Sequence, residues 1–272
     1  MRAASPPRRM PAPPIGRALL PLALAGLLVL TAIAYPLVTG TGRDVVSWTI
    51  VLIGAALSVA HATASRGART GIGLLLLVAV VAVCFEAVGL ATGVPYGSYT
   101  YSDALGPTLL GVPLLVPLAW LMMAWPSWLL AGRLTRDVRS GRRRPARVGV
   151  AAAVFAAWDV VLDPQMVQAG YWTWAHPRPG LPGIDTVPLT NLAGWLLAGL
   201  VLMALLDLLV TRTAVEPPRT GDGAPLLVLG WMTLGGALAH AGWLGLPGSA
   251  VWGVLLAVPA LVALAAQARR SS

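Results

Sequence analysis

Eight stretches of about twenty mostly apolar residues follow one another along the chain, at about 18–39, 45–64, 71–91, 108–132, 148–164, 188–211, 224–245 and 249–267. A helix needs roughly 20 such residues to cross a hydrocarbon core, so the pattern predicts an all-α fold, a polytopic transmembrane helical bundle of about eight spans. No repeat of roughly 20 to 50 residues suggests a solenoid, and no connection is long enough for a soluble domain. The chain divides into an Arg- and Pro-rich N-terminal arm (1–17), a single transmembrane helical domain (18–267) and a short tail (268–272). The first run needs care, because its Arg-bearing leader and Ala32-Ile33-Ala34 resemble a cleavable signal peptide, whose removal would leave seven spans. A run of about 22 residues is long for a signal core of roughly 7–15, so the expectation is that it is retained.

Composition agrees with the apolar pattern and excludes a water-soluble globule. Hydrophobic residues make up 57% of the chain and charged residues 11%, less than half the charge of an ordinary domain at about 25%. The surface must therefore face lipid. All 19 basic residues are Arg, against 10 acidic ones, for a formal charge of +9. Alternating the connections between the two sides collects all but Arg43 and Arg178 on one side, which the positive-inside rule makes cytoplasmic, with both termini. The densest cluster, Arg133, Arg136, Arg139, Arg142, Arg143, Arg144 and Arg147, falls in the connection 133–147 and suits anionic lipid headgroups. The charge serves orientation, so no nucleic-acid partner is expected. The single cysteine, Cys84, rules out an intramolecular disulfide or multi-Cys metal site and reads as a small buried hydrophobe.

Two connections on the opposite side differ from the rest. Residues 92–107 and 164–188 are rich in Gly, Pro, Tyr and Trp, which fix turns and favour the headgroup level, so they are expected to be structured and to lie on the outer interface.

Ionisable residues within a span cost at least roughly 2.5–3.5 kcal/mol near the centre and mark function by default. Glu86 in the third run, Asp159 and Asp163 in the fifth and His240 in the seventh all fall in the outer half, beside the two aromatic connections. Asp207 and His61 lie near the inner end and read as structural. Asp159 and Asp163 are spaced i, i+4 and share a helix face; two carboxyls that close repel when both ionise, so one proton held between them makes a general acid. Structural alternatives stand beside this. Asp163 precedes Pro164, where a helix end is expected and the side chain would meet only water, and Asp159, Glu86 and His240 could serve as interhelical hydrogen bonds. Two carboxylates at this spacing also suit Mg²⁺ and a diphosphate, but the arginines such a ligand needs are on the other side. No nucleotide loop or redox motif is visible, Gly71-Ile72-Gly73 lying at a span edge without strand-helix context, so no metal and no cofactor is expected.

Several of these residues lie in longer motifs. Glu86-Ala87-Val88-Gly89, Gly93-Val94-Pro95-Tyr96-Gly97-Ser98-Tyr99-Thr100-Tyr101, Leu105-Gly106-Pro107, Gly111-Val112-Pro113 and Pro117-Leu118-Ala119-Trp120 form one block. Trp158-Asp159-Val160-Val161-Leu162-Asp163-Pro164-Gln165-Met166, Gly170-Tyr171-Trp172-Thr173-Trp174, Pro188-Leu189-Thr190-Asn191 and Gly194-Trp195 form a second. Together, over about 72–210, they resemble the carotenoid biosynthesis membrane protein family, which includes the carotenoid 1,2-hydratases of the γ-carotene and bisanhydrobacterioruberin type. The chain departs from that pattern at Asp185-Thr186-Val187-Pro188, where an aromatic-Gly pair is expected, after a longer Pro-rich insert from His176 to Gly183.

The resemblance implies a multi-pass enzyme of a bacterial or archaeal cell membrane that adds water to a terminal isoprenoid C=C of an acyclic carotenoid. Its partners would be the carotenoid in the bilayer, water and other carotenoid enzymes. The expected catalytic residues are Asp159 or Asp163 as the acid, with Glu86 orienting the acid or the water. Tyr96, Tyr99, Tyr101, Trp172, Trp174, Asn191 and His240 are the expected substrate-binding residues, the aromatics forming a wall that stabilises a tertiary cation. Cyclisation of the same end group and a non-catalytic lipid or pigment carrier stay open as alternatives.

Overall fold

The computed structural model describes residues 16–215 and 217–271; the N-terminal arm through residue 15, with Arg2, Arg8 and Arg9, and Ser272 lie outside the described residues. Eight helices form, each with an apolar window long enough to cross a membrane. They are α1 (Gly16–Ala34), α2 (Thr41–Arg66), α3 (Ala68–Thr92), α4 (Leu115–Leu134), α5 (Ser140–Gln168), α6 (Leu189–Thr213), α7 (Gly223–Leu244) and α8 (Pro247–Ser271). The protein is a polytopic helical membrane bundle. Its contacts close a ring in the order α1, α2, α3, α6, α5, α8, α7 and back to α1, with α4 running through the middle. Fifteen of the twenty residues of α4 are buried, including Trp120, Trp125 and Trp128, whereas the ring helices turn Leu, Val and Ile outward. Without a hydrophobic force between helices in lipid, close packing decides who neighbours whom; Gly54 of α2 lets α4 approach, since a Cβ there would collide with Met122.

Four boundaries differ from the sequence expectation, the first being that 108–113 forms a hairpin, so that α4 starts only at Leu115. α5 starts at Ser140, so Arg142, Arg143, Arg144 and Arg147 stand on its first two turns and the connection is short. The same helix does not end before Pro164 but runs through it to Gln168; the ring removes one backbone hydrogen bond, which a packed helix tolerates in a membrane. The tail is not separate either, because α8 continues to Ser271. Cys84 is also not buried: it is exposed on α3, where a thiol is apolar enough for lipid.

The arginines on α5 explain Asp207. Its carboxylate is fully buried on α6 yet receives Arg144 Nε at 2.6 Å, Arg147 and the Trp128 indole N–H at 3.2 Å, and the Arg147 guanidinium lies 4.8 Å over the Trp128 ring. One acid thus ties α4, α5 and α6 at the Arg-rich end. His61 is satisfied nearby by the Trp125 indole and the Gly221 carbonyl, at 3.0 Å each.

The other end carries a small irregular cover. β1 (Tyr99–Tyr101) pairs antiparallel with β4 (Trp172–Trp174), which ties the two aromatic connections together, and β2 (Thr108–Leu109) and β3 (Val112–Pro113) form a tight hairpin before α4.

Removing Asp207 leaves two guanidinium groups without their acceptor. Asp207→Ala is expected to destabilise the detergent-solubilised protein by about 3 kcal/mol, the lower end for breaking a buried pair, while Asp103→Ala changes it by under about 0.5 kcal/mol; thermal unfolding measures both. For orientation, a cysteine at Asp137 in a Cys84→Ser background is expected to resist a membrane-impermeant maleimide on intact cells, and one at Asp103 to react.

Candidate active site

Sequence alternation builds the cover. In a strand, residues i and i+2 share a face, so Tyr99 and Tyr101 point together, as do Trp172 and Trp174, with Thr100 and Thr173 turned outward. The register sets Tyr99 opposite Trp174 and Tyr101 opposite Trp172. Their rings lie 5.9 and 5.7 Å apart, the spacing at which aromatic pairs attract. The inward face of this ribbon lies over the ends of α3, α5 and α6, where the acids are.

Glu86 on α3 is buried and takes both phenols on one oxygen: Tyr99 OH donates to Oε2 at 2.5 Å and Tyr101 OH at 2.8 Å. Burial, and then the Glu86 charge, push both tyrosine hydroxyls well above their ordinary range, so they stay protonated as fixed donors. Asp159 and Asp163 are likewise buried on α5. The Asn191 amide, at the start of α6, donates to Asp159 Oδ2 at 2.9 Å and to Asp163 Oδ2 at 2.5 Å. The Trp172 indole N–H donates to Asp163 Oδ1 at 3.1 Å. Asp159 Oδ1 is buried with no hydrogen-bond partner.

Tyr96 wedges the site together. Its ring sits between α3 and α6 at two glycines: a Cβ on Gly89 would lie 2.8 Å from it and one on Gly194 2.6 Å. Its carbonyl receives Trp174 Nε1 at 3.1 Å and Thr190 Oγ1 at 3.3 Å.

These groups border a cavity of about 360 Å³. Glu86, Asp163 and Asn191 stand on its wall with Tyr96, Tyr99, Tyr101, Trp172 and Trp174, so most of the residues expected from the sequence meet in one place. Two do not reach it. Asp159 lies behind Asp163, on a second cavity of about 20 Å³ bordered by Asp163, Asn191, Leu181 and Ile184. His240 stands back from the wall and touches it through Gln165, whose Oε1 is 3.1 Å from Nε2, while Nδ1 is 2.6 Å from Ser249 Oγ.

The helices add residues that the sequence reading did not name as site candidates. Trp120, Trp158, Trp195 and Trp231 line the same cavity, and the Trp120 indole N–H is buried without a hydrogen-bond partner. Their signal was position: Trp120, Trp158 and Trp195 stand within the two motif blocks, one of them directly before Asp159. No arginine borders either cavity among the described residues. The Pro-rich insert, where the chain departs from the family pattern, lies against α8: Trp252 Nε1 donates to the Pro182 carbonyl at 3.0 Å.

Comparisons with known proteins agree with this picture. A family model described as carotenoid biosynthesis protein matches residues 46–259. Bisanhydrobacterioruberin hydratase of Haloarcula japonica is 36% identical over 140 residues, 51% of this chain and 45% of that protein. The match thus spans under half the length of that relative, and no solved structure matches. With the family model covering most of the chain, and its motifs forming one buried site, the protein belongs to the carotenoid biosynthesis protein family.

Proposed function

We propose that the protein is a membrane hydratase that adds water to the terminal C=C of an acyclic carotenoid end group. One observation carries the reading: Asp163, backed by the buried Asp159, and a second, doubly hydrogen-bonded carboxyl, Glu86, stand on the wall of a cavity lined mostly by aromatic and aliphatic side chains. A hydrocarbon double bond offers no group to bind by hydrogen bonding. Its only handle is protonation, and that demands a strong, dry acid.

The chemistry follows from the partners of each acid. Asp159 Oδ1 lacks a donor, and a proton shared with Asp163 supplies one. Asp163, the member of the pair on the substrate cavity, gives that proton to the less substituted alkene carbon. The π pair forms the new C–H bond and leaves a tertiary cation on the neighbouring carbon. Glu86, whose carboxyl oxygen accepts from two phenols, and the faces of Tyr and Trp stabilise that cation. Water adds its oxygen lone pair to the cation, the excess proton passes to the carboxylate pair, and the acid is restored with a tertiary alcohol as product. The small cavity behind the pair has room for one water, since about 10–15 Å³ suffices, and so offers a store for the co-substrate. Asn191 is a positioning residue, fixing both aspartates from one amide.

The absence of arginine from the cavity walls among the described residues favours an uncharged substrate over a diphosphate. The similarity to a bisanhydrobacterioruberin hydratase supports an acyclic end group in particular. On the orientation above, the site lies in the outer half of the cell membrane, and the exposed Arg136, Arg139, Arg142 and Arg143 face anionic headgroups on the inner side.

Expressed in cells that accumulate an acyclic carotenoid, the protein is expected to add the mass of one water per reacted end. A product of unchanged mass would mean cyclisation, and no new product would mean a carrier. Asp163→Asn is expected to lower conversion by about 10²–10⁴-fold, the usual worth of a general acid, while the amide oxygen keeps one of the two donors, Trp172 or Asn191, and thermal unfolding checks that the fold is retained. Full activity in both Asp163→Asn and Asp159→Asn, by pigment mass analysis, overturns the pair.

A further inference from the structure

The substrate cavity is not closed on every side. One wall is made by Ala32 and Ile33 at the end of α1, Leu37 just beyond it, and Leu238, Ala239 and Trp243 of α7. Four of these face outward as well as inward: Ile33 is 46% exposed, Leu37 65%, Leu238 62% and Trp243 60%. A side chain can line a cavity and be half exposed only where the cavity opens.

The helices explain where. At the Arg-rich end, α1 packs on the first two turns of α7, residues 223–230, and at the other end the turn at Tyr35–Leu37 touches residues 240–244. From the first clamp onward α7 is irregular: Trp231–Gly235 is π-helical, a single α turn follows, and His240–Leu244, which forms the second clamp, is π-helical again. π turns inside an α-helix are uncommon and gather at functional sites. Trp231, Met232, Gly235 and Gly236 of this irregular stretch all border the cavity. The result is a window in the ring between the end of α1 and α7.

Volume and polarity say what passes through it. A cavity of about 360 Å³ is near the lower end of the roughly 300–1,000 Å³ that holds a drug-sized molecule, far short of a carotenoid long enough to span the bilayer. Its carboxyl and amide groups, Glu86, Asp163, Gln165 and Asn191, belong to α3, α5 and α6, and Ser47 to α2, whereas the window side is aliphatic and aromatic. We propose that the gap between α1 and the π-helical part of α7 is a lateral portal that admits one end of a long acyclic polyene from the bilayer, while the rest of the molecule stays in lipid. This rests on the hydratase reading for the identity of the polyene. It adds a consequence for the reaction: a carotenoid with two reactive ends must leave and return the other way round, so a singly hydrated product appears before a doubly hydrated one.

A diazirine-bearing residue placed at Ile33 or Leu238 tests the portal without relying on turnover. In membranes holding an acyclic carotenoid, illumination is expected to attach pigment to the protein at these two positions, read as visible absorbance that stays with the denatured chain. The same residue at Leu200 or Val254, exposed on α6 and α8 and away from the window, is expected to attach about tenfold less, a difference of 1.4 kcal/mol in local occupancy. Equal capture at all four positions, or none at Ile33 and Leu238, overturns the portal. Portal-selective capture with no gain of water keeps the portal and removes the hydratase reading; gain of water without selective capture does the reverse. The double variant Ile33→Trp, Leu238→Trp adds a check, since narrowing the window should slow conversion of the carotenoid more than that of a short isoprenoid bearing the same end group.

Discussion

The constraint on which the rest of the structure depends is that a carboxylate inside a hydrocarbon layer must be given its hydrogen-bond donors by the protein itself. This chain has four such acids in its spans, and each meets a different solution. Asp207 lies within reach of the Arg-rich end and is paired with two guanidinium groups. Among the described residues, no arginine pairs with the three acids at the other end. Their donors are two phenols, an indole and one amide, groups that satisfy a carboxylate without neutralising it. The first arrangement is a structural pin. The second pairs the carboxyls with uncharged donors only, which is what the proposed acid chemistry would require.

That requirement accounts for the cover of the site. The donors to Glu86 and Asp163 come from β1 and β4, segments that alternate aromatic and Thr residues. Each strand alone is three residues long and could not hold its side chains in place. Paired, they stack Tyr99 on Trp174 and Tyr101 on Trp172, and the hydroxyl and indole groups then point down at the helix ends. Tyr96 fixes the ribbon to the bundle because Gly89 and Gly194 leave it space. A bulky side chain at either glycine would lift the ring and, with it, the donors that hold the acids.

How much of this was legible depended on the range of the interaction. The eight helices follow from runs of apolar residues about as long as a bilayer is thick, a local property. The gathering of Glu86, Asp159 and Asp163 near the aromatic connections followed from counting sides. Pairing of Tyr99-Thr100-Tyr101 with Trp172-Thr173-Trp174 crosses some seventy residues of sequence, and nothing local joins the two segments, although their matched alternation was the available clue. The continuation of α5 through Pro164 was hidden for the opposite reason: the local rule against proline is overridden by packing on α6 and α8. It matters for the site, since a helix broken at Asp163 would have turned that carboxyl toward water instead of into the cavity.

The placement of Asp163 between two cavities of unequal size gives the arrangement its chemical sense. Hydration needs a hydrocarbon and water to meet, yet a cation formed in bulk water would be captured indiscriminately, and one formed in pure lipid would lose a proton and revert. Here the larger space opens toward lipid and holds hydrophobic walls; the smaller has room for one water among Asp159, Asp163 and Asn191. The carboxyl pair is the partition. In the proposed reaction, protonation from one side and resupply from the other would use the same two residues, with the size of the space behind them limiting the water. The Pro-rich insert contributes Leu181 to the wall of that smaller space, with Ile184 just beyond it. The departure from the family pattern therefore borders the smaller space and not the aromatic wall of the larger cavity.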